Sequence, residues 1–169
     1  NPKNGEECPN GVPGEIWVQG ANLMVGYYKL DVDSQAIDSD GWLHTGDLGK
    51  LDEDGYVYFT GRAKELIIRA GENISPNEII SVLTEMNEVA DAKVFGIPDD
   101  FYGEIVGAAV LMKEDCTFDE ESVREYVKKR LAKFKWPEHY VVYKKFPQLS
   151  NGKVDGVSLK KDFIERVKE

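Results

Sequence analysis

Two helix starts set among short strand-like runs restrict the folds open to this chain more than any other feature. At Ser75-Pro76-Asn77-Glu78 the serine is a good N-cap, and the proline suits the first helical position, where a missing N–H costs nothing. Glu78 stands three residues after the cap, as a capping box requires. Thr117-Phe118-Asp119-Glu120 repeats the spacing, with Thr117 as cap and Glu120 closing the box. Val123, Tyr126, Val127, Leu131 and Phe134 then recur at helical intervals until Pro137 stops the run. Around these helices lie a short strand at Leu66-Ile67-Ile68-Arg69-Ala70, one from Val89 to Ile97 ending in the turn Pro98-Asp99-Asp100, and a longer one from Glu104 to Met112. A further strand runs from His139 to Phe146, and a last helix begins at about Val157 or Ser158. The order βαββαβα with short connections predicts an α+β domain with a three-stranded sheet and helices packed on it.

The first sixty or so residues have another texture. Gly14-Glu15-Ile16-Trp17-Val18-Gln19-Gly20 alternates sides like a half-buried strand. Asp52-Glu53-Asp54-Gly55 reads as a hairpin turn into Tyr56-Val57-Tyr58-Phe59-Thr60. Residues 31–40 are polar and weakly periodic, and predict a short helix or loop around Ser34-Gln35-Ala36-Ile37. His44-Thr45-Gly46-Asp47 puts Asp47 at a strand end beside a turn glycine that would let a ligand approach the backbone. The charged segment Gly61-Arg62-Ala63-Lys64-Glu65 separates this β-rich part from the α+β part, as a hinge or domain boundary would.

Charge narrows the chemistry. With 31 acidic against 21 basic residues and a formal net charge of −10, the chain lacks the basic face that nucleic acids or anionic membranes require, so any phosphate binding must be local. Cys8 and Cys116 are far apart and without metal-type spacing, and there are only two histidines, so neither a disulfide framework nor a metal site is indicated. No apolar run approaches the roughly 20 residues that span a bilayer, and a cytoplasmic setting is the default expectation. The chain opens without Met on a polar, turn-rich stretch, which predicts that it is cut from something longer.

The local phosphate ligand is sought at Ser150-Asn151-Gly152-Lys153-Val154-Asp155. Asn-Gly tolerates positive φ at both positions, so Lys153 is expected at a loop tip or just beyond it, its ammonium projecting outward. A compact cation on a flexible stem suits an oxygen whose negative charge grows during reaction.

These residues carry a resemblance. Gly14-Glu15-Ile16-Trp17-Val18, His44-Thr45-Gly46-Asp47-Leu48, Gly61 to Ile67, Gly71 to Ile79, Gly96-Ile97-Pro98-Asp99 with Gly103-Glu104, and Asn151-Gly152-Lys153-Val154 resemble successive core motifs of the adenylate-forming superfamily, in that family's order. Its acyl-CoA synthetase branch is favoured by the Leu66 to Ile74 run and by lysine at position 64.

The resemblance implies residues 1–62 as the end of a large N-terminal domain and residues 63–169 as a mobile C-terminal domain. The reaction it implies joins a carboxylate to the α-phosphate of ATP, releases pyrophosphate and passes the acyl group to the thiol of CoA. Asp47 and Arg62 would touch the ribose of ATP or AMP, and Lys153 would bridge carboxylate and α-phosphate as the catalytic lysine. Lys64 would be the hinge, and Gly71 would line the path of the pantetheine arm of CoA. Mg2+ would accompany ATP and be liganded outside this stretch, as would the acyl pocket. The implied partners are therefore a small carboxylic acid, ATP, CoA and the missing N-terminal domain, with no nucleic acid and no membrane span. The fragment by itself is expected to be inactive.

The sequence departs from the family pattern at Gly156, where Arg or Lys is common, at Ile80 in place of a second acid, and at Ala70, where many ligases carry lysine. Two other readings stay open: an adenylation domain loading a carrier protein, and a non-catalytic domain that binds a partner.

Overall fold

A computed structural model describes residues 1, 4–26 and 37–168. The helix or loop expected around Ser34 falls on residues 31–36, outside the described residues; Ile37 makes an isolated antiparallel bridge to Leu43. The chain divides into two compact units, Asn1–Lys64 and Glu65–Glu169.

The first unit is a three-stranded antiparallel sheet in the order β1 (Gly14–Val18), β2 (Leu43–Leu51), β3 (Val57–Arg62). The Asp52 to Gly55 hairpin forms as the sequence predicts. Gly55, at φ +83°, donates its N–H to Asp52 O at 3.2 Å. The Asp52 carboxylate accepts the amides of Tyr56 at 2.9 Å and Asp54 at 3.0 Å. Those bonds, Tyr56's first, hold its carboxyl below the usual carboxylate range. Successive strand residues point to opposite faces, and Tyr56, Val57, Tyr58 and Phe59 are each more than half exposed, so β3 is apolar and uncovered on both faces.

The second unit holds every buried apolar side chain among the described residues. Its elements are β4 (Ile67–Arg69), β5 (Glu72–Ile74), α1 (Pro76–Thr84), β6 (Val89–Asp99), β7 (Gly103–Met112), α2 (Glu120–Lys128), β8 (His139–Tyr143) and α3 (Gly156–Lys168). The α+β class is as expected. Strands β6, β7 and β8 form the three-stranded body: β7 is central, antiparallel to β6 and parallel to β8 along Gly107–Leu111. The β4–β5 hairpin extends this body to five strands, joining β7 at one register position, Arg69 opposite Gly103. Three-residue strands are too short to show an alternating pattern, which is why the sequence did not place them in the sheet.

The pleat of β7 sorts the core. Val106, Ala108 and Val110 face Ile79 and Leu83 of α1 and Val123 and Val127 of α2, with Ile67 and Ile74 of the hairpin in the same cluster. Ile105 and Ala109 turn the other way, to Leu159 and Phe163 of α3. Gly107 lies directly under α3: a Cβ there would stand 2.6 Å from both the Phe163 ring and Ile97 Cδ1. Gly107→Ala should therefore destabilise this unit by about 1–3 kcal/mol through overpacking, read as a lower urea midpoint at unchanged slope.

Several helix and strand ends differ from expectation. Asp119, not Thr117, caps α2: its carboxylate accepts Glu121 N at 3.2 Å and Ser122 Oγ at 2.5 Å. Glu120 turns to Arg124 at i+4 rather than back to the cap. The helix ends at Lys128, and Phe134 lies in a separate 3₁₀ turn, Lys133–Lys135. Ser75 sits at the α1 N-cap with Pro76 in the first turn, but makes no side-chain capping bond, and Glu78 receives Lys135 Nζ at 2.7 Å instead. Strand β6 runs on through Pro98 and Asp99, so its turn to β7 falls two residues later, at residues 100–102, and β8 stops at Tyr143. Helix α3 begins at Gly156 because Asp155 caps it, its carboxylate taking Ser158 Oγ at 2.7 Å and Ser158 N at 3.1 Å. Those bonds, the hydroxyl's first, hold the Asp155 carboxyl below the ordinary range.

Candidate functional site

In the first unit the structure brings together two of the expected residues. Asp47 and Arg62 are register partners across β2 and β3, and Arg62 Nε lies 3.0 Å from Asp47 Oδ1. Asp47 stands within β2, not at its end as the sequence predicts. The strand passes through Gly46 at φ +72° and slips register between Leu48 and Gly49. An irregularity of this kind re-aims a side chain without ending the pairing.

Neighbours pin this kink. Thr45 Oγ1 donates to Ile16 O at 2.7 Å and accepts Asp47 N at 3.0 Å, while Glu15 Oε1 accepts Gly46 N at 3.0 Å. Upstream, the His44 ring stacks on Trp17 with centroids 3.9 Å apart and bonds Asp38 Oδ2 through Nε2 at 3.0 Å. That bond, followed by the Trp42 amide, lowers the Asp38 carboxyl from its usual range. Half-exposed Asp47 thus presents an acceptor, and Arg62 a planar donor, from one fixed backbone.

Lys64 lies in the 3₁₀ turn Ala63–Glu65, the last residue of the first unit.

In the second unit Lys153 is exposed on a short hairpin loop, as its Asn-Gly context predicts. Leu149 N donates to Lys153 O at 2.8 Å, and Gly152, at φ +81°, donates its N–H to Leu149 O at 2.9 Å. Asn151 Oδ1 accepts Lys153 N at 3.0 Å, and Gln148 bridges Val154. The loop is thus built by backbone and Asn151, leaving the lysine side chain out of its construction. Val154 packs on the α3 side of the sheet and Asp155 caps α3, so loop and helix are continuous.

Gly71 occupies the β4–β5 turn. With Arg69 paired to Glu72, Ala70 and Gly71 form a two-residue loop with φ +49° and +86°, the positive-φ pair that such tight hairpins require. Apart from its two chain neighbours, no described residue comes within 4 Å of where a Gly71 Cβ would stand, so the glycine's backbone is open to a ligand. Beside it is a cavity of about 480 Å³ whose lining sets Arg69, Arg124 and Lys133 with two carboxylates, Glu72 and Glu138, among the rings of Tyr102, Phe134 and Trp136, Arg69 being paired to Glu138. Sequence reading found Gly71 but not this company. Only the interruption of an apolar run by Arg69, and Lys133-Phe134 after a helix, could have signalled it.

The motif residues Gly96 and Glu104 also acquire a reason. Glu104 Oε2 accepts Ile68 N at 2.8 Å, supplying β4 with an acceptor where the ladder to β7 is missing. A Cβ on Gly96 would stand 2.5 Å from that carboxylate, so glycine leaves it room.

Lys153 and Gly71 are not on one face. The lysine loop runs into α3 on one side of the sheet, whereas the hairpin's core side chains, Ile67 and Ile74, pack on the α1 and α2 side. Among the described residues no cluster of His, Cys, Asp and Glu could hold a metal ion, and no helix is long and apolar enough to cross a membrane.

Comparison with known proteins gives this geometry a setting. Residues 78–153 match the model of the AMP-binding enzyme C-terminal domain. The chain is 42% identical over 158 residues to a sulfoacetate–CoA ligase of Cupriavidus necator, covering 93% of this chain and 31% of that protein. It is 38% identical to the oxalate–CoA ligase of Arabidopsis thaliana, covering 98% of this chain and 32% of that one. Among solved structures, ATP-bound MatB from Rhodopseudomonas palustris superposes with a TM-score of 0.88 at 36% identity, over 97% of this chain and 33% of its own. The chain thus spans about a third of the length of the relatives it matches.

Proposed function

We propose, of a chain that belongs to the adenylate-forming, AMP-binding enzymes through their C-terminal domain, that it supplies the moving part of an ATP-dependent, AMP-forming acyl-CoA synthetase. In this reading Asp47 accepts the ribose hydroxyls of the nucleotide and Arg62, already paired to it, adds a donor to the same sugar. Lys153 meets the carboxylate and the α-phosphate while the acyl-adenylate forms, and the pyrophosphate leaves carrying the charge of the broken bond. Mg2+ accompanies the ATP and finds its ligands outside this chain. The second unit then turns about Lys64 and offers its other side, where the Gly71 hairpin and the cavity beside it, with Lys133, Arg124 and aromatic rings in its lining, receive CoA, whose thiol displaces AMP from the acyl group.

The observation that carries this reading is the division of labour across one sheet. The Lys153 loop runs into α3 on one side of the sheet and the cavity beside Gly71 is lined by Arg124 of α2 on the other, which favours presenting the two in turn rather than together. Alternation is the economical solution.

The test uses the full-length protein with a panel of carboxylic acids. The expected result is acid-dependent exchange of pyrophosphate into ATP without CoA, and AMP plus acyl-CoA when CoA is added. If adenylate forms and only a carrier-bound pantetheine accepts the acyl group, this chain serves a carrier protein instead. No exchange with any acid would leave it a partner-binding domain.

A further inference from the structure

We infer that Arg69 is a positioning residue that mounts the Gly71 hairpin on the segment 134–138, so that the turn facing CoA and the wall of its cavity move as one piece. The inference rests on the reading of this side as the one that takes CoA.

The hairpin needs such a mount. It meets β7 at one register position, since β8 occupies the rest of that edge of β7, and Ile67 and Ile74 bury its base in the core while the turn at Ala70 and Gly71 extends past the start of β7. One side-chain acceptor, Glu104, serves the Ile68 amide, and one backbone bond, Ala70 N to Tyr102 O at 2.8 Å, holds the turn. What lacks core packing is the tip, residues 69–72, and a two-stranded ribbon does not hold its tip rigid by itself.

Arg69 supplies the rest. Its guanidinium donates through Nη2 to the Glu138 carboxylate and through Nη1 to Phe134 O at 3.2 Å, and its plane lies over the Tyr102 ring, 4.6 Å from the centroid. The far side is itself anchored: Arg124 donates to Pro137 O at 3.2 Å and to Glu138 O at 2.8 Å, and Lys135 is held by Glu78. A planar fork that bonds in two directions and stacks on a ring fixes orientation in a way that a lysine cannot reproduce. With its side chain largely covered and its donors engaged by protein, Arg69 acts on the ligand through the hairpin, not by touching the thiol.

The experiment compares wild type, Arg69→Ala, Arg69→Lys and Glu138→Gln in the full-length protein. It reads amide hydrogen exchange at Ala70, pyrophosphate exchange and kcat/KM for CoA. For Arg69→Ala the expected result is at least tenfold faster exchange at Ala70 with the β6–β7 amides unchanged. Adenylation should stay within about twofold, and kcat/KM for CoA should fall by roughly ten- to a hundredfold, the scale of an ångström-sized misplacement. Arg69→Lys and Glu138→Gln should lie between. Unchanged Ala70 exchange overturns the inference, as does an equal loss in both half-reactions, which marks a general fold defect. A wild-type protein that adenylates but never uses CoA overturns the functional reading instead, and is recognised as such because the exchange arm still responds to Arg69→Ala.

Discussion

Replacing Lys153 with alanine in the full-length protein is expected to slow adenylate formation by a hundredfold or more while leaving thioester formation from added acyl-adenylate within a few-fold of wild type. The first half-reaction gathers negative charge on the α-phosphate as the carboxylate attacks. A preorganised cation at that point contributes about 3–4 kcal/mol in the transition state, and the ammonium is the only part of Lys153 able to deliver it. The loop survives the change, because its bonds run through Lys153 O and N, Leu149, Gly152 and Asn151, none of which needs the side chain. Circular dichroism should therefore be unaltered. On the proposed reading the second half-reaction is spared, because it would use the side of the unit opposite the Lys153 loop. Rapid-quench measurement of pyrophosphate release separates the steps. An undiminished burst in Lys153→Ala would remove the lysine from the chemistry, and an equal loss in both steps would remove the alternation.

What could be seen in the sequence followed from how local each feature is. The Lys153 loop was legible because Asn-Gly fixes its own backbone and the chain on either side is short. The α+β class was legible because β6, β7 and α3 carry long uninterrupted patterns. Asp47 was placed correctly in its neighbourhood but wrongly at a strand end. Gly46 marks a kink as readily as a terminus, and only Glu15 and Thr45, engaged from β1 and from within β2, decide for the kink. The α2 cap is ambiguous in sequence because Thr117 and Asp119 can both cap, and the choice rests on whether Ser122 bonds the acid. Arg69 with Glu138 was out of reach: the two are 69 residues apart, and nothing in either neighbourhood announces the other. The candidate residues were thus readable singly, and the supports that hold them were not.

Division of the chain at the Lys64–Glu65 boundary should give two fragments of opposite character: residues 65–169 folded and cooperative, residues 1–64 unfolded. The second unit closes its own core on both sheet faces, with Ile79, Leu83, Val106, Val110, Val127, Leu159 and Phe163 all at 2% exposure or less. Burial of these side chains on both faces is the main term that offsets the chain entropy lost when this unit orders. Side-chain ties between elements reinforce it, among them the Tyr143 hydroxyl donating to Asp162 Oδ2 at 2.7 Å. Burial, followed by that bond, pushes the Tyr143 phenol above its ordinary range, so it is protonated and able to donate at neutral pH. The first unit has no comparable resource. Its sheet buries no apolar side chain completely among the described residues, and β3 exposes aromatic groups on both faces and along an unpaired edge. A three-stranded sheet in that condition lacks the buried area to offset its ordering and is prone to associate through the edge. Far-UV circular dichroism and urea titration of the two fragments provide the check. The 65–169 fragment should unfold in one transition, and the 1–64 fragment should show coil spectra or concentration-dependent association. A 1–64 fragment that melts cooperatively as a monomer would overturn this expectation and mean that β3 has found its cover within the first unit.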